Sequence, residues 1–157
     1  MPVFNVFVDL IEPLGAGLQS DARFAGLNIF YDRTEERIVP RENMPAINYF
    51  LETPWQDIAR GSVGASLQTR RMYVTLGIGV WCYDAESSAA LDAQLFAISG
   101  DVADFLREHT EFNTTLGIYL RHDVPMTFDM DYSTDDGGPV GTHKVTCPFE
   151  IYSGLGR

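Results

Sequence analysis

Arg70-Arg71-Met72-Tyr73-Val74-Thr75-Leu76-Gly77-Ile78-Gly79-Val80-Trp81-Cys82-Tyr83, running straight into Asp84-Ala85-Glu86, decides the fold of this chain. Met72, Val74, Leu76, Ile78, Val80 and Cys82 alternate with Arg71, Tyr73, Thr75, Gly77, Gly79 and Trp81. A period of two sustained over this length predicts a strand with one apolar face. Gly77 and Gly79 share the other face, which is left bare where something must approach closely. Asp84 then offers a side-chain oxygen to the free N–H groups of a first helical turn, and Glu86 suits the positive end of a helix. The helix is predicted over Ala85 to about His109, with Leu91, Leu95, Ile98, Val102, Phe105 and Leu106 as its apolar stripe. Gly100 lies inside it and is expected to bend or divide it.

Outward from this strand and helix the pattern is weaker. Phe4, Phe7, Val8, Ile11, Leu14 and Leu18 recur at three- and four-residue steps and predict a helix that ends near Gly15 to Gly17. Pro13 weakens it, because proline lacks an N–H and crowds the preceding turn. Phe24 to Tyr31 reads as an early strand, and Ala46 to Leu51 as a second, with Ile47, Tyr49 and Leu51 on one face. Glu52 to Gln68 contains Pro54, Trp55, Gly61 and Gly64 without a sustained period and reads as a loop or extended arm. Thr114 to Leu120, Met126 to Tyr132 and Thr142 to Tyr152 read as further strands, and Asp135-Asp136-Gly137-Gly138-Pro139 as a turn. Pro148 implies an edge position or a bulge in the last strand. The expected fold is α+β: one domain over residues 1–157, with a mixed or antiparallel sheet flanked by an N-terminal helix and one long central helix.

Composition narrows the function. The 157 residues carry a net charge of −11. Nucleic-acid binding relies on Lys and Arg to displace counterions, so a specific DNA reader is not expected. The same charge suits a surface past which DNA slides without sticking, because like charges repel. The two cysteines, Cys82 and Cys147, fall in strand-like runs and read as buried free thiols in a reducing cytoplasm. The start Met1-Pro2-Val3-Phe4-Asn5 has no basic leader, and Asp9, Glu12 and Pro13 interrupt the apolar stretch Val3 to Leu18. Spanning a bilayer takes roughly 20 apolar residues, so no membrane segment is expected.

The search for chemistry returns little. Gly15-Ala16-Gly17 resembles a dinucleotide turn, but it follows a helix rather than a strand and reads as a helix C-cap. Asp129, Asp131, Asp135 and Asp136 suggest a calcium loop, yet Thr134 and Val140 stand where such a loop needs Gly and Glu. They read instead as a solvated acidic hairpin. His109, His122 and His143 have no metal-ligand spacing. Gly61-Ser62-Val63-Gly64 lacks the nucleophile-elbow pattern. No catalytic, cofactor or metal site is expected. Arg60, Arg70 and Arg71 form the local basic cluster, which is complementary to Asp129, Asp131, Asp135 and Asp136 on a neighbouring copy. Head-to-tail pairing of unlike patches is what a closed ring requires. Trp55 is the candidate aromatic anchor of the arm.

The order of these segments resembles a known family. An amphipathic N-terminal helix precedes two short strands and the Gly/Arg-containing stretch Gly61 to Gln68. The alternating strand Arg70 to Tyr83 then passes through Asp84 into the helix Ala85 to His109. The closing run is Lys144-Val145-Thr146-Cys147-Pro148-Phe149-Glu150-Ile151-Tyr152. This arrangement resembles the tail terminator, or tail completion, proteins of long-tailed bacteriophages. The resemblance implies a structural virion protein assembled in the host cytoplasm and sited at the head-proximal end of the tail. Such a protein forms a ring, a hexamer in the family, that caps the tail tube, ends its growth and presents the surface for head joining. The implied partners are further copies of itself, the tail tube protein and a head-completion or neck protein, with DNA passing through the lumen. The resemblance implies no cofactor and no chemistry. The alternatives are a tail tube or neck adaptor subunit and, from another class, a small α/β enzyme or ligand-binding domain.

Overall fold

A computed structural model describes residues 7–32, 39–57, 69–84, 86–108, 111–113, 118–120, 126–135 and 138–154. Its centre is the expected alternating strand. β3, Thr69–Tyr83, pairs antiparallel with β7, Gly138–Gly154, from Thr69 opposite Gly154 to Tyr83 opposite Val140 without a register shift. At about 3.3 Å per residue this two-stranded spine is about 50 Å long. β2, Ala46–Asp57, flanks β3 antiparallel, and β1, Asn28–Tyr31, lies parallel to β2 at the margin. β3 occupies one side of β7, so the other side is shared end to end by β5, Ile118–Leu120, and β6, Thr127–Asp135. β4, Glu111–Asn113, pairs outside β5. The result is one mixed seven-stranded sheet in the order β1-β2-β3-β7-β5-β4, with β6 beside β7.

Alternation gives the sheet one apolar face, and register carries that face across strands. Ile29, Ile47, Val80, His143 and Met130 stand opposite one another in one row, and Tyr31, Tyr49, Ile78, Val145 and Phe128 in the next. Both helices cover this face. A Cβ at Gly15, in α1 (Glu12–Ser20), would collide with the Tyr49 hydroxyl, and a Cβ at Gly141 would collide with Leu95 of α2 (Ser88–Glu108). Leu14, Leu18, Leu91, Leu95, Val102, Phe105 and Leu106 seal a core with Ile47, Leu76, Ile78, Val80, Val145 and Phe149. Phe24 closes its rim, its ring edge-on to Phe105 at 5.8 Å. Cys82 and Cys147 are buried free thiols in this core, and burial pushes the Cys82 thiol up to about 12.

Several local expectations change. Gly15 and Gly17 lie inside α1 rather than at its C-cap, because their bare backbones let α1 close on Tyr49 and Phe105. Pro13 lies in the first turn of α1, directly after a π-helical turn, Phe7–Ile11, and its fixed φ suits that position. The early strand starts only at Asn28: Ala22–Phe24 forms a 3-10 turn and Gly26 takes φ 85°. The central helix begins at Ser88 rather than Ala85. Asp84 Oδ1 accepts the Glu86 and Ser87 amides at 2.8 and 3.0 Å, and Ser87 caps the helix by accepting the Ala90 amide at 3.2 Å. The helix is continuous through Gly100, which is exposed. Pro148 is in an inner strand without a bulge. It falls where the neighbour of β7 changes from β6 to β5, and no described strand requires its N–H there. The predicted arm is partly strand, since β2 runs on to Asp57 with register shifts after Leu51 and Thr53. Residues 58–68 and 114–117 lie outside the described residues.

Gly77 and Gly79 do share the second face. A Cβ at Gly77 would sit 2.5 Å from the Phe50 ring, so the group that approaches closely is the chain's own aromatic. Lys144 and Glu52 pair across this face at 3.0 Å.

Candidate functional site

Among the described residues the sheet ends at β1 on one side and at β4 and β6 on the other, and exposed apolar side chains lie at β6 and beside β1. In β6, Phe128, Met130 and Tyr132 are 47%, 57% and 45% exposed. They stand opposite Val145, His143 and Gly141, on the helix-covered face, where α2 leaves them partly uncovered. Phe96 of α2, also 57% exposed, extends the patch. The intervening Asp129 and Asp131 are exposed and sit opposite Lys144 and Thr142.

A polar underlay fixes the patch. Asp92, Phe96 and Ser99 follow at i, i+4 and i+7 on one face of α2. The Tyr132 hydroxyl donates to Asp92 Oδ1 at 2.7 Å, tying edge strand to helix, and this bond raises the Tyr132 phenol above its ordinary range. Ser99 Oγ lies 3.1 Å from His143 Nδ1, and the Phe96 ring meets the imidazole edge-on at 4.7 Å. Burial lowers the basicity of His143, with the Asp92 charge acting the other way. Its Nε2 is buried without a hydrogen-bond partner.

This pair has the composition of a nucleophile and its base, but the geometry does not serve that role. Ser99 and His143 are 3% and 1% exposed, which closes the pair to a substrate, and Asp92 is engaged by Tyr132. The arrangement holds Phe96 and β6 in place.

The second margin is built on Tyr31, the last residue of β1. Its ring packs on Tyr49 at 5.2 Å and receives Phe7 edge-on at 5.6 Å. Phe7 and Val8 are 45% and 51% exposed, although the helical period had placed both on the buried face of the N-terminal helix. The π-helical turn, with more residues per turn than an α-helix, rotates them outward while Leu10 and Ile11 turn inward.

The sequence-predicted interface residues are distributed differently. Arg70 and Arg71 lie in β3 opposite Ser153 and Tyr152, whereas Asp131 lies in β6 opposite Thr142. Ten residues of β7 separate Tyr152 from Thr142, about 33 Å at 3.3 Å per residue, too far for pairing within one copy. Asp135 pairs with Gly138 at the hairpin end. Trp55 lies in β2 between the registered pairs of Thr53 and Gln56. Arg60 and Asp136 fall outside the described residues. The apolar margin was missed, though Thr127-Phe128-Asp129-Met130-Asp131-Tyr132 alternates strictly. That period reveals an apolar face but not that the helix stops short of covering it.

Fold and margins together define a two-layer α+β protein whose helices cover one sheet face and leave apolar side chains exposed at β6 and at the Phe7–Tyr31 corner. No protein-family model matches the chain, and no curated protein matches it. Solved structures do share the fold. One, a protein carrying only a serial designation, is 12% identical, with a TM-score of 0.53 over 93% of this chain and 92% of its own. That likeness extends to the fold alone. No helix among the described residues is long and apolar enough to cross a membrane.

Proposed function

We propose that this protein is a structural subunit that assembles with copies of itself into a ring at the end of a phage tail tube. In this role it terminates the tube and offers the surface for head joining. The carrying observation is β6: a nine-residue edge strand with an exposed apolar face of Phe128, Met130 and Tyr132. Open edge strands pair readily with other chains, and proteins that stay monomeric blunt them with charge, proline or a cover. Here Asp129 and Asp131 lie on the opposite face from the apolar residues, and among the described residues no strand pairs with the outer side of β6. An exposed, contiguous apolar surface of this kind is a hallmark of an interaction site. The assignment to the tail end follows the sequence resemblance, and the net charge of −11 suits a lumen that passes DNA without holding it.

Electron microscopy of the purified chain, alone and with preformed tail tubes, tests this reading. The expected result is single rings seated on one end of the tubes, with further elongation blocked. Self-polymerisation into long stacks would instead make it a tube subunit. A particle that stays monomeric with and without tubes, and that a small ligand stabilises against heat, would indicate a binding protein or an enzyme.

A further inference from the structure

Three elements meet at His143, and they satisfy only one of its ring nitrogens. β7 carries the imidazole. α2 supplies Ser99 Oγ at 3.1 Å from Nδ1 and the Phe96 ring edge-on at 4.7 Å, and β6 sets Met130 opposite. Nε2 is buried and has no hydrogen-bond partner. A neutral ring tolerates this better than a charged one, in which both nitrogens carry an N–H that needs an acceptor. Water is nevertheless one side chain away, since Phe96 and Met130 are both 57% exposed.

Among the described residues the titratable and charged groups around the ring are few. On α2, Asp92 lies one turn before Phe96 on the same face, about 6 Å along the helix axis. Its charge acts on the imidazole and favours a proton there. On β6, the Tyr132 hydroxyl donates to that same carboxylate at 2.7 Å. On β3, Val80 stands opposite the ring, and burial keeps the thiol of Cys82, two residues on, neutral. On β7 itself, Lys144 lies on the other face and pairs with Glu52. Asp92 therefore has two claimants. The phenol holds it while His143 is neutral, and an imidazolium, which makes the stronger charge-assisted bond, competes for it once His143 is charged.

From this arrangement we infer that His143 is an acid-operated latch on the β6 margin: proton uptake by its imidazole draws Asp92 away from the Tyr132 hydroxyl, and β6 comes away from α2. The proton comes from solvent and returns to it when the pH rises, so the latch is reversible. Once it opens, water reaches Nε2, and Phe128, Met130 and Tyr132 lose the frame that sets them beside Phe96. Copies joined through β6 then separate in acid. That last consequence rests on the reading of β6 as a contact between copies, whereas the latch itself does not.

NMR of the chain labelled with 13C at tyrosine Cζ reads the Tyr132 bond directly, and loss of its signal in Tyr132→Phe identifies it. Between pH 7.5 and 4.5 this signal should shift with the same midpoint as the His143 imidazole. It should not shift in His143→Gln, which takes up no proton, or in Asp92→Asn, which keeps an oxygen for the phenol but has no charge to lend the imidazole. Asp92 is outside the core, so its variant keeps the test open if His143→Gln fails to fold. Sedimentation velocity over the same range should show the wild-type association constant falling, at most about tenfold per pH unit for each proton taken up, and that of Asp92→Asn holding. A Tyr132 signal that ignores the His143 midpoint, or that moves equally in Asp92→Asn, would overturn the latch while leaving self-assembly intact. A signal that moves as expected while the assembled mass stays constant would uphold the latch and place the contact between copies away from β6.

Discussion

Gly141 and Gly100 lack the same side chain in opposite surroundings. A Cβ at Gly141 would drive into Leu95 and lie 3.2 Å from the Tyr132 ring, whereas at Gly100 nothing stands within 4 Å. Gly141→Ala should therefore cost about 1–3 kcal/mol through overpacking. Gly100→Ala, in an exposed helix interior, should stabilise by about 0.5–1 kcal/mol. Each kcal/mol moves the melting temperature by about 2–4 °C in a chain of this size, so calorimetry should show shifts of opposite sign. Equal signs would mean that the α2–β7 contact is misplaced. His143 adds a pH dependence. Burial holds its imidazole below the ordinary value of 6.5, so in the window beneath 6.5 the unfolded chain binds more protons than the folded one. Stability from this group is complete above pH 6.5 and is lost as pH falls toward the folded value. Urea midpoints between pH 8 and 5.5 should fall less steeply for His143→Leu than for the wild type, since all other titrating groups are common to both. Parallel slopes would show that His143 is as well solvated as a free imidazole.

At the scale of elements, what was legible in the sequence is what local pattern alone determines. β3 and the C-terminal half of β7 announced themselves by alternation, and α2 by its apolar stripe, because strands and helices bury one face at fixed periods. Gly77 and Gly79 were correctly read as a site of close approach, but the approaching group, Phe50, arrives from a strand more than twenty residues away, and no local pattern names it. The same limit explains Pro148. Its residue type predicts a missing backbone partner, and that is met by the junction of β5 and β6 rather than by an edge, which depends on pairing across the sheet. The N-terminal turn shows the reverse failure. Phe7 and Val8 fit a helical stripe of period 3.6, yet a π-helical turn changes the phase and puts them outside. The apolar margins were invisible for a related reason. Exposure of Met130 or Phe96 is set by where α2 ends over the sheet, and that is a property of packing between elements.

For the whole molecule, the remaining question is which force would hold copies together, and the two candidate contacts respond to salt in opposite directions. Pairing Arg60, Arg70 and Arg71 with Asp129, Asp131, Asp135 and Asp136 is an attraction between unlike charges, which salt weakens. Contact between the apolar margins brings like charges together instead. Asp9 and Asp32 adjoin the Phe7–Val8–Tyr31 patch in the chain, Asp92, Asp129 and Asp131 adjoin the β6 patch, and each copy carries a net charge of −11. Salt screens that repulsion, the Debye length falling from about 30 Å at 0.01 M to about 8 Å at 0.15 M, and leaves apolar burial in force. Sedimentation velocity from 10 to 500 mM NaCl should therefore show the assembled fraction rising with salt. Asp129→Asn with Asp131→Asn should flatten that rise by removing two of the repelling charges, without abolishing assembly. An assembled fraction that instead falls with salt, and that the same double substitution eliminates, would assign the contact to the arginine and aspartate clusters and make the apolar margins secondary to it.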